Sequence, residues 1–154
     1  MNAQNKKLVM FDFFGTLSNI QAEYFNHEVL KNSVVQLAGN YALAVVSSSS
    51  ESNIKDFLSK ENILSYFSDI CGAGLLDDKV SQMKKLLEKY SLLAENSIYV
   101  TDTLGDVEEA AECGVKSVAV TWGFHDRQTL EKGSPAAIID DPRDLVRAVE
   151  SVLK

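Results

Sequence analysis

Six short apolar runs recur along the chain, separated by longer stretches in which apolar residues repeat at helical spacing. Lys7 to Phe11, Ala42 to Val46, Asp69 to Gly72, Ser97 to Val100, Lys116 to Thr121 and Ala136 to Ile139 have strand length and strand composition. This alternation predicts an α/β domain, a central and mostly parallel sheet flanked by helices on both faces. Several runs are apolar at every position, as strands covered on both sides require. Val80, Met83, Leu86, Leu87 and Tyr90 recur at helical spacing opposite Lys84, Lys85 and Lys89, the pattern of an amphipathic helix packed on the sheet. Asp141 followed by Pro142 predicts the start of a last helix carrying Leu145, Val146, Val149, Val152 and Leu153. Gly39-Asn40 and Gly114 fall where helices around Val29 to Leu37 and Val107 to Cys113 should stop.

The 154 residues suffice for one unit, spanning residues 1–154, with no room for a second substantial domain. With 15 Lys and Arg against 22 Asp and Glu, the net charge of −7 repels polyanions, so neither nucleic acid nor an anionic membrane surface is expected as a partner. No run approaches the roughly 20 apolar residues that span a bilayer. Met1 to Lys7 is polar and Asp12 interrupts the apolar run behind it, which does not read as a secretory leader. Cys71 and Cys113 make neither a disulfide framework nor a metal-ligand spacing, and read as reduced core residues. The expected compartment is the cytoplasm.

The first strand run ends in a carboxylate, Leu8-Val9-Met10-Phe11-Asp12, and Gly15 follows within three residues. Asp12 has two readings, a turn cap or a charge placed at the carboxyl edge of the sheet, where open α/β sheets bind ligands. Two more runs end in polar residues, the second in Ser47-Ser48-Ser49-Ser50 and the fourth in Thr101-Asp102-Thr103-Leu104-Gly105-Asp106. In a parallel sheet these exits share one edge, so Asp12, Ser47 and Asp102 can converge. One serine is expected to cap a helix beginning near Glu51, and Thr103 with Asp106 fits a capping box; neither cap accounts for Asp102. Lys79 stands at the start of the Val80 helix, against the helix dipole by about 0.3–1 kcal/mol. It is either a solvated lysine neutralised by Asp77 and Asp78 or a functional cation.

Asp12 with Gly15-Thr16-Leu17, a serine closing the second run, a lysine opening a later helix, and Asp102 with Asp106, in that order, resemble the four motifs of the haloacid dehalogenase-like hydrolase superfamily. The resemblance extends through Val118 to Gly123 and on to Ile138-Ile139-Asp140. It implies a three-layer Rossmann-like fold and a phosphorylated substrate. Asp12 would be the nucleophile, forming an aspartyl phosphate. Ser47, or its neighbour Ser48, and Lys79 would hold the phosphoryl oxygens. Mg²⁺ would be bound by Asp12, the main-chain oxygen of Phe14 and Asp102, while Asp106 would orient that metal shell or the lysine.

The chain departs from the family pattern in two ways. Most phosphatases of the superfamily carry a second aspartate two residues after the nucleophile, where it protonates the leaving group; here that residue is Phe14, which can neither give nor take a proton. General acid–base catalysis is commonly worth about 10²–10⁴-fold, so hydrolysis without a substitute is expected to be slow. A phosphate-binding or regulatory protein without turnover, and a carrier with a long-lived Asp12 phosphate, are therefore alternatives. The second departure is the short connection between Gly15 and Ser47, enough for a flap and one helix holding Tyr24, Phe25, Val29, Leu30, Val34 and Leu37, but not for a lid. The site is expected to be open, with a second copy, a protein partner or a macromolecular substrate covering it. His27 and His125 read as structural or solvated, although His125 would replace the missing acid if its loop folded over the site.

Overall fold

The computed structural model describes residues 6–23, 25–73 and 78–154. Among these, strands β1 (Leu8–Phe11), β2 (Ala42–Ser50), β3 (Asp69–Ala73), β4 (Ser97–Thr101), β5 (Lys116–Val120) and β6 (Ala137–Ile139) form one sheet. Its order is β3-β2-β1-β4-β5-β6, and every neighbouring pair is parallel. The helices are α1 (His27–Ala38), α2 (Glu51–Lys60), α3 (Lys79–Lys89), α4 (Leu104–Glu112), α5 (Arg127–Glu131) and α6 (Leu145–Val152). The expected three-layer Rossmann-like α/β fold is what the chain adopts.

Side chains alternate across a strand, so each strand feeds two cores. From β1, Val9 and Phe11 join Leu30, Val34 and Leu37 of α1, Ile54 and Leu58 of α2, and Leu145 and Val149 of α6. Leu8 and Met10 join Met83, Leu86 and Leu87 of α3 and Ala110 of α4 on the other face. A smaller cluster of Val107, Ala119 and Leu130 packs α5 beside α4. All four residues of β1 are buried, which is why its sequence shows no polar alternation.

The chain runs outward from β1 through β2 to β3, then returns to β4 beside β1 and runs the other way. The connections leaving β1 and β4 therefore diverge and open a crevice outside the carboxyl ends of these two strands, the usual ligand position in such sheets. Asp12 and Asp102 stand at that crevice.

Several boundaries differ from the sequence-based expectation. β2 continues through Ser47 to Ser50, and its register with β3 shifts between Val46 and Ser50, so Ser47, Ser48 and Ser49 lie within the irregular stretch of the ladder. Ser50 caps α2 by accepting from the Asn53 amide at 3.2 Å. Asp141 does not start α6; its carboxylate accepts from the Arg143 amide at 2.9 Å and caps a 3₁₀ turn, Pro142–Asp144, that precedes the helix. The Ser33 hydroxyl of α1 takes up the Pro142 carbonyl at 3.0 Å, which pins that turn to α1. Asn26 caps α1, so Phe25 precedes the helix, and Tyr24 lies outside the described residues. Cys71 and Cys113 are half-buried and packed against the edge of the Leu8 and Met10 core. No helix among the described residues is long and apolar enough to cross a membrane.

Leu43 is fully buried in β2 beside the central strand. Leu43→Ala should cost about 2–5 kcal/mol by removing apolar contact and leaving a cavity. The measurement is a urea titration, in which the midpoint should fall with little change in slope.

Candidate active site

The end of β1 is the fixed point of the site. The Asp12 amide still donates to the Val100 carbonyl of β4 at 2.8 Å, so the strand pairing carries the residue to the edge of the sheet. The chain then turns sharply, with the amides of Thr16, Leu17 and Ser18 all pointing at the Phe13 carbonyl at 3.2, 2.9 and 3.0 Å. Gly15 is required in this turn twice over. Its φ of +86° lies in the left-handed region, and a Cβ there would stand 2.1 Å from Oδ2 of Asp102.

Asp102, at the end of β4, is buried completely. Its Oδ1 accepts from the Thr16 hydroxyl at 3.1 Å and its Oδ2 from the Phe124 amide at 2.9 Å. A Cβ on Gly123 would stand 2.3 Å from the same Oδ2, so two glycines let the β1 turn and the loop after β5 close on this carboxylate. The Trp122 indole adds a hydrogen bond to the Thr16 carbonyl at 3.0 Å.

On the other side of Asp12, Lys79 is the first residue of α3, and the helix is capped by Asp78, whose carboxylate accepts from the Ser81 amide at 2.7 Å. Asp78 is therefore not the partner of Lys79, and Asp77 lies outside the described residues. The Lys79 ammonium donates to Oδ1 of Asp12 at 3.2 Å and to Oδ2 of Asp106 at 2.7 Å. Thr101 also donates to Oδ2 of Asp106, at 2.7 Å. The capping box is only half formed. Thr103 accepts from the Asp106 amide at 3.4 Å, while the Asp106 carboxylate turns to Lys79 and Thr101.

Asp12, Lys79 and Asp106 are thus brought into one contact, with Asp102 near enough for its charge to act on Asp12. Burial pushes the Asp12 carboxyl up to about 8; the Lys79 charge opposes this, and the charges of Asp106 and Asp102 add to it. Burial alone would lower Lys79, but the attraction of Asp12 and Asp106 outweighs it and holds the ammonium above its usual range. Ser47 is buried on the neighbouring strand, where its Oγ accepts from the Ser49 amide at 3.0 Å; Ser48 is exposed. Phe14 is exposed, and its ring lies parallel to that of Phe124 with centroids 5.3 Å apart. His125 faces α4, its Nδ1 accepting from the Leu104 amide at 2.9 Å, which makes it a helix-capping residue.

Sequence reasoning missed three contributors. Thr101 and Phe124 carry no signal beyond their neighbours. Gln82 carries one, a polar residue one turn after Lys79 on the apolar stripe of α3. It is buried, and its amide donates to the carbonyls of Gly72 and Ser47 at 2.9 and 3.4 Å, bridging the strands where their ladder shifts.

The donor chemistry suits a hard divalent cation, since Asp12, Asp102 and Asp106 are all buried and the one ammonium near them pairs with only Asp12 and Asp106. Each oxygen of Asp102 takes one protein hydrogen bond and keeps a lone pair. Among the described residues no three acidic, histidine or cysteine side chains form a complete cage. Mg²⁺ does not need one, being usually held by one or two carboxylates with water and substrate phosphate filling the shell.

The fold and the site together define an open parallel α/β protein with Asp12, Lys79, Asp102 and Asp106 gathered at the carboxyl edge of its sheet, on the strands where the order reverses. A family model described as haloacid dehalogenase-like hydrolase matches residues 26–120, a span that includes Ser47, Lys79, Asp102 and Asp106 and begins after Asp12. The chain belongs to that family. It is 34% identical over 112 residues to a phosphoglycolate phosphatase of Synechococcus elongatus, covering 73% of this chain and 53% of that protein. It is 27% identical over 124 residues to a phosphoglycolate phosphatase of Vibrio cholerae, covering 78% of this chain and 55% of that one. The chain thus spans about half the length of the curated relatives it matches. A haloacid dehalogenase-like family hydrolase from Streptococcus pneumoniae superposes with a TM-score of 0.78 at 16% identity, covering 97% of this chain and all of that one, and shares the fold.

The raised carboxyl of Asp12 has a consequence for the metal-free protein. Its folded value of about 8 lies above the ordinary 3.8, so between these values the native state holds a proton that the unfolded chain releases. This contribution to stability is complete below about pH 4 and is lost as pH rises through about 8. In chelator, the melting temperature should fall between pH 5 and 8, and Asp12→Asn should flatten the fall.

Proposed function

We propose that the chain is the core of a Mg²⁺-dependent phosphohydrolase in which Asp12 is the nucleophile. The observation that carries this reading is the Lys79 ammonium bridging the buried Asp12 and Asp106 at the carboxyl edge of the sheet. The names of the relatives, phosphoglycolate phosphatases, support a phosphate ester as the substrate class.

A carboxylate oxygen of Asp12 attacks phosphorus, the bond from phosphorus to the ester oxygen breaks, and the leaving group departs with the electron pair. Water then attacks the phosphorus of the aspartyl phosphate, releasing orthophosphate and restoring the carboxylate; two easier steps replace one difficult one. The Ser47 hydroxyl and the Lys79 ammonium hold the phosphoryl oxygens, and Lys79 balances the charge that builds on them. Asp106, itself held by Thr101, aims the lysine. Asp12, the main-chain oxygen of Phe14 and Asp102 would hold Mg²⁺, which when bound offsets the negative charge of the carboxylates and phosphate. Phe14 supplies no proton to the leaving group. That fact favours a second reading, a phosphate-binding protein without turnover.

The chain is further proposed to act as a single core unit over residues 1–154 without a lid. In the described structure the β1–β2 connection folds as the 13–18 turn and then α1 against the sheet. Exclusion of water then falls to a macromolecular substrate, a protein partner or a second copy. The thiols of Cys71 and Cys113 support a cytoplasmic setting.

Release of orthophosphate from a panel of phosphate esters, with and without Mg²⁺, tests the reading. Turnover should require Mg²⁺, and Asp12→Asn should lower it by about 10³-fold or more. Turnover unchanged in Asp12→Asn would reject Asp12 as nucleophile, and no turnover with Mg²⁺-linked phosphate binding would establish the binding protein instead. Phe14→Asp should raise kcat on an alkyl phosphate by about 10²-fold, the lower range for general acid catalysis.

A further inference from the structure

The rings of Phe14 and Phe124 are 45% and 48% exposed, although most phenylalanines of the described chain are buried or half-buried. They are parallel to within 4° at a centroid separation of 5.3 Å, an offset stack that fixes the plane of Phe14. Both ends of the stack are anchored in the site. Phe14 lies two residues after Asp12, and the amide of Phe124 is bonded to Oδ2 of Asp102.

Phe14 also forms one wall of a cavity of about 330 Å³ between the β1 turn and α2. Phe13 and Phe57, packed edge to face at 5.3 Å, continue the apolar side, while Ser49, Asn53 and Lys60 line the polar side. Ser49 is the residue whose amide donates to Oγ of Ser47. Through Ser49 the cavity adjoins the strand end that carries Ser47, and through Phe13 and Phe14 it adjoins the turn that follows Asp12.

We infer that Phe14 and Phe124 form the leaving-group subsite of the phosphohydrolase and select a planar aromatic leaving group, so that aryl phosphates are the preferred substrate class. This rests on the reading of Asp12, Ser47 and Lys79 as a phosphoryl-transfer site. Two independent properties agree on it. An aromatic wall favours a flat apolar group by stacking and burial. The absence of a proton donor at Phe14 favours a leaving group that departs as an anion, and phenol-type hydroxyls ionise near pH 10, far below alkyl alcohols. As Asp12 bonds to phosphorus the aryl–oxygen to phosphorus bond breaks, the aryloxide takes the electron pair, and solvent protonates it. Water then cleaves the aspartyl phosphate, and no other reactant is needed.

The test measures binding apart from turnover, with methylphosphonate and 1-naphthylmethylphosphonate as probes in the presence of Mg²⁺. In the wild type both should compete with orthophosphate and weaken in Lys79→Met, and the naphthyl probe should bind at least about tenfold more tightly. Phe14→Ala and Phe124→Ala should each reduce that preference about two- to tenfold, the range expected for one aromatic pair, with Phe124→Leu intermediate. In turnover, wild-type rates should fall steeply as the leaving-group pKa rises across a series of aryl and alkyl phosphates. The aryl subsite is overturned if methylphosphonate binds but the naphthyl group adds nothing, if the preference survives both alanine variants, or if alkyl and aryl phosphates turn over equally. If neither phosphonate competes with orthophosphate, the phosphoryl site itself is wrong, and the subsite falls with it.

Discussion

An ammonium group held between two buried carboxylates organises the carboxyl edge of this sheet. Lys79 comes from the first turn of α3, Asp12 from the end of β1 and Asp106 from the first turn of α4, so one side chain joins three elements. Such contacts are asymmetric in energy. An intact buried ion pair adds little net stability, because desolvation offsets attraction, whereas removing one partner leaves a buried charge at a cost of about 3–5 kcal/mol. The arrangement is therefore held by the consequence of losing a partner, and it keeps two carboxyl groups and a cation at fixed separation at the edge of the sheet.

Asp102 performs a different structural task with the same chemical group. Its oxygens are bonded to Thr16 and to the amide of Phe124, and two glycines let the backbone approach it from both sides. The β1 turn and the loop after β5 are thereby closed onto one carboxylate. That closure sets Phe124 against Phe14, so the aromatic stack at the mouth follows from polar contacts beneath it. Glycine at 15 and 123 is required for space as much as for conformation.

Much of the architecture is legible in the chain because both of its signals are local. The six strands lie within a few residues of the apolar runs, since a strand buried on both faces has no polar position to obscure it. Ser50 caps α2 through a contact with a residue three positions on, as the serine run before Glu51 led one to expect, whereas Asp78 caps α3 instead of neutralising Lys79. The displaced start of α6 was not legible. Asp141 caps a 3₁₀ turn in place of the helix, and that turn is pinned to α1 by Ser33, more than a hundred positions away, through the Pro142 carbonyl. The same holds for Gln82, whose buried amide bridges two strand ends from a helix that sequence reads only as amphipathic.

By itself the sequence determined the α/β alternation, the order of the polar residues at the strand exits and the presence of a phenylalanine at position 14, because these depend on residue identity and short spacing. Only the tertiary structure decided which charges meet. Lys79 turns from its neighbour Asp78 to Asp12 and Asp106, Asp106 leaves the capping box, Asp102 turns to Thr16 and Phe124, and His125 caps α4. For Lys79 the choice is between a neighbour in the chain and partners distant in the chain but close in space. The distant partners prevail because burial removes water there and makes an unpaired charge costly.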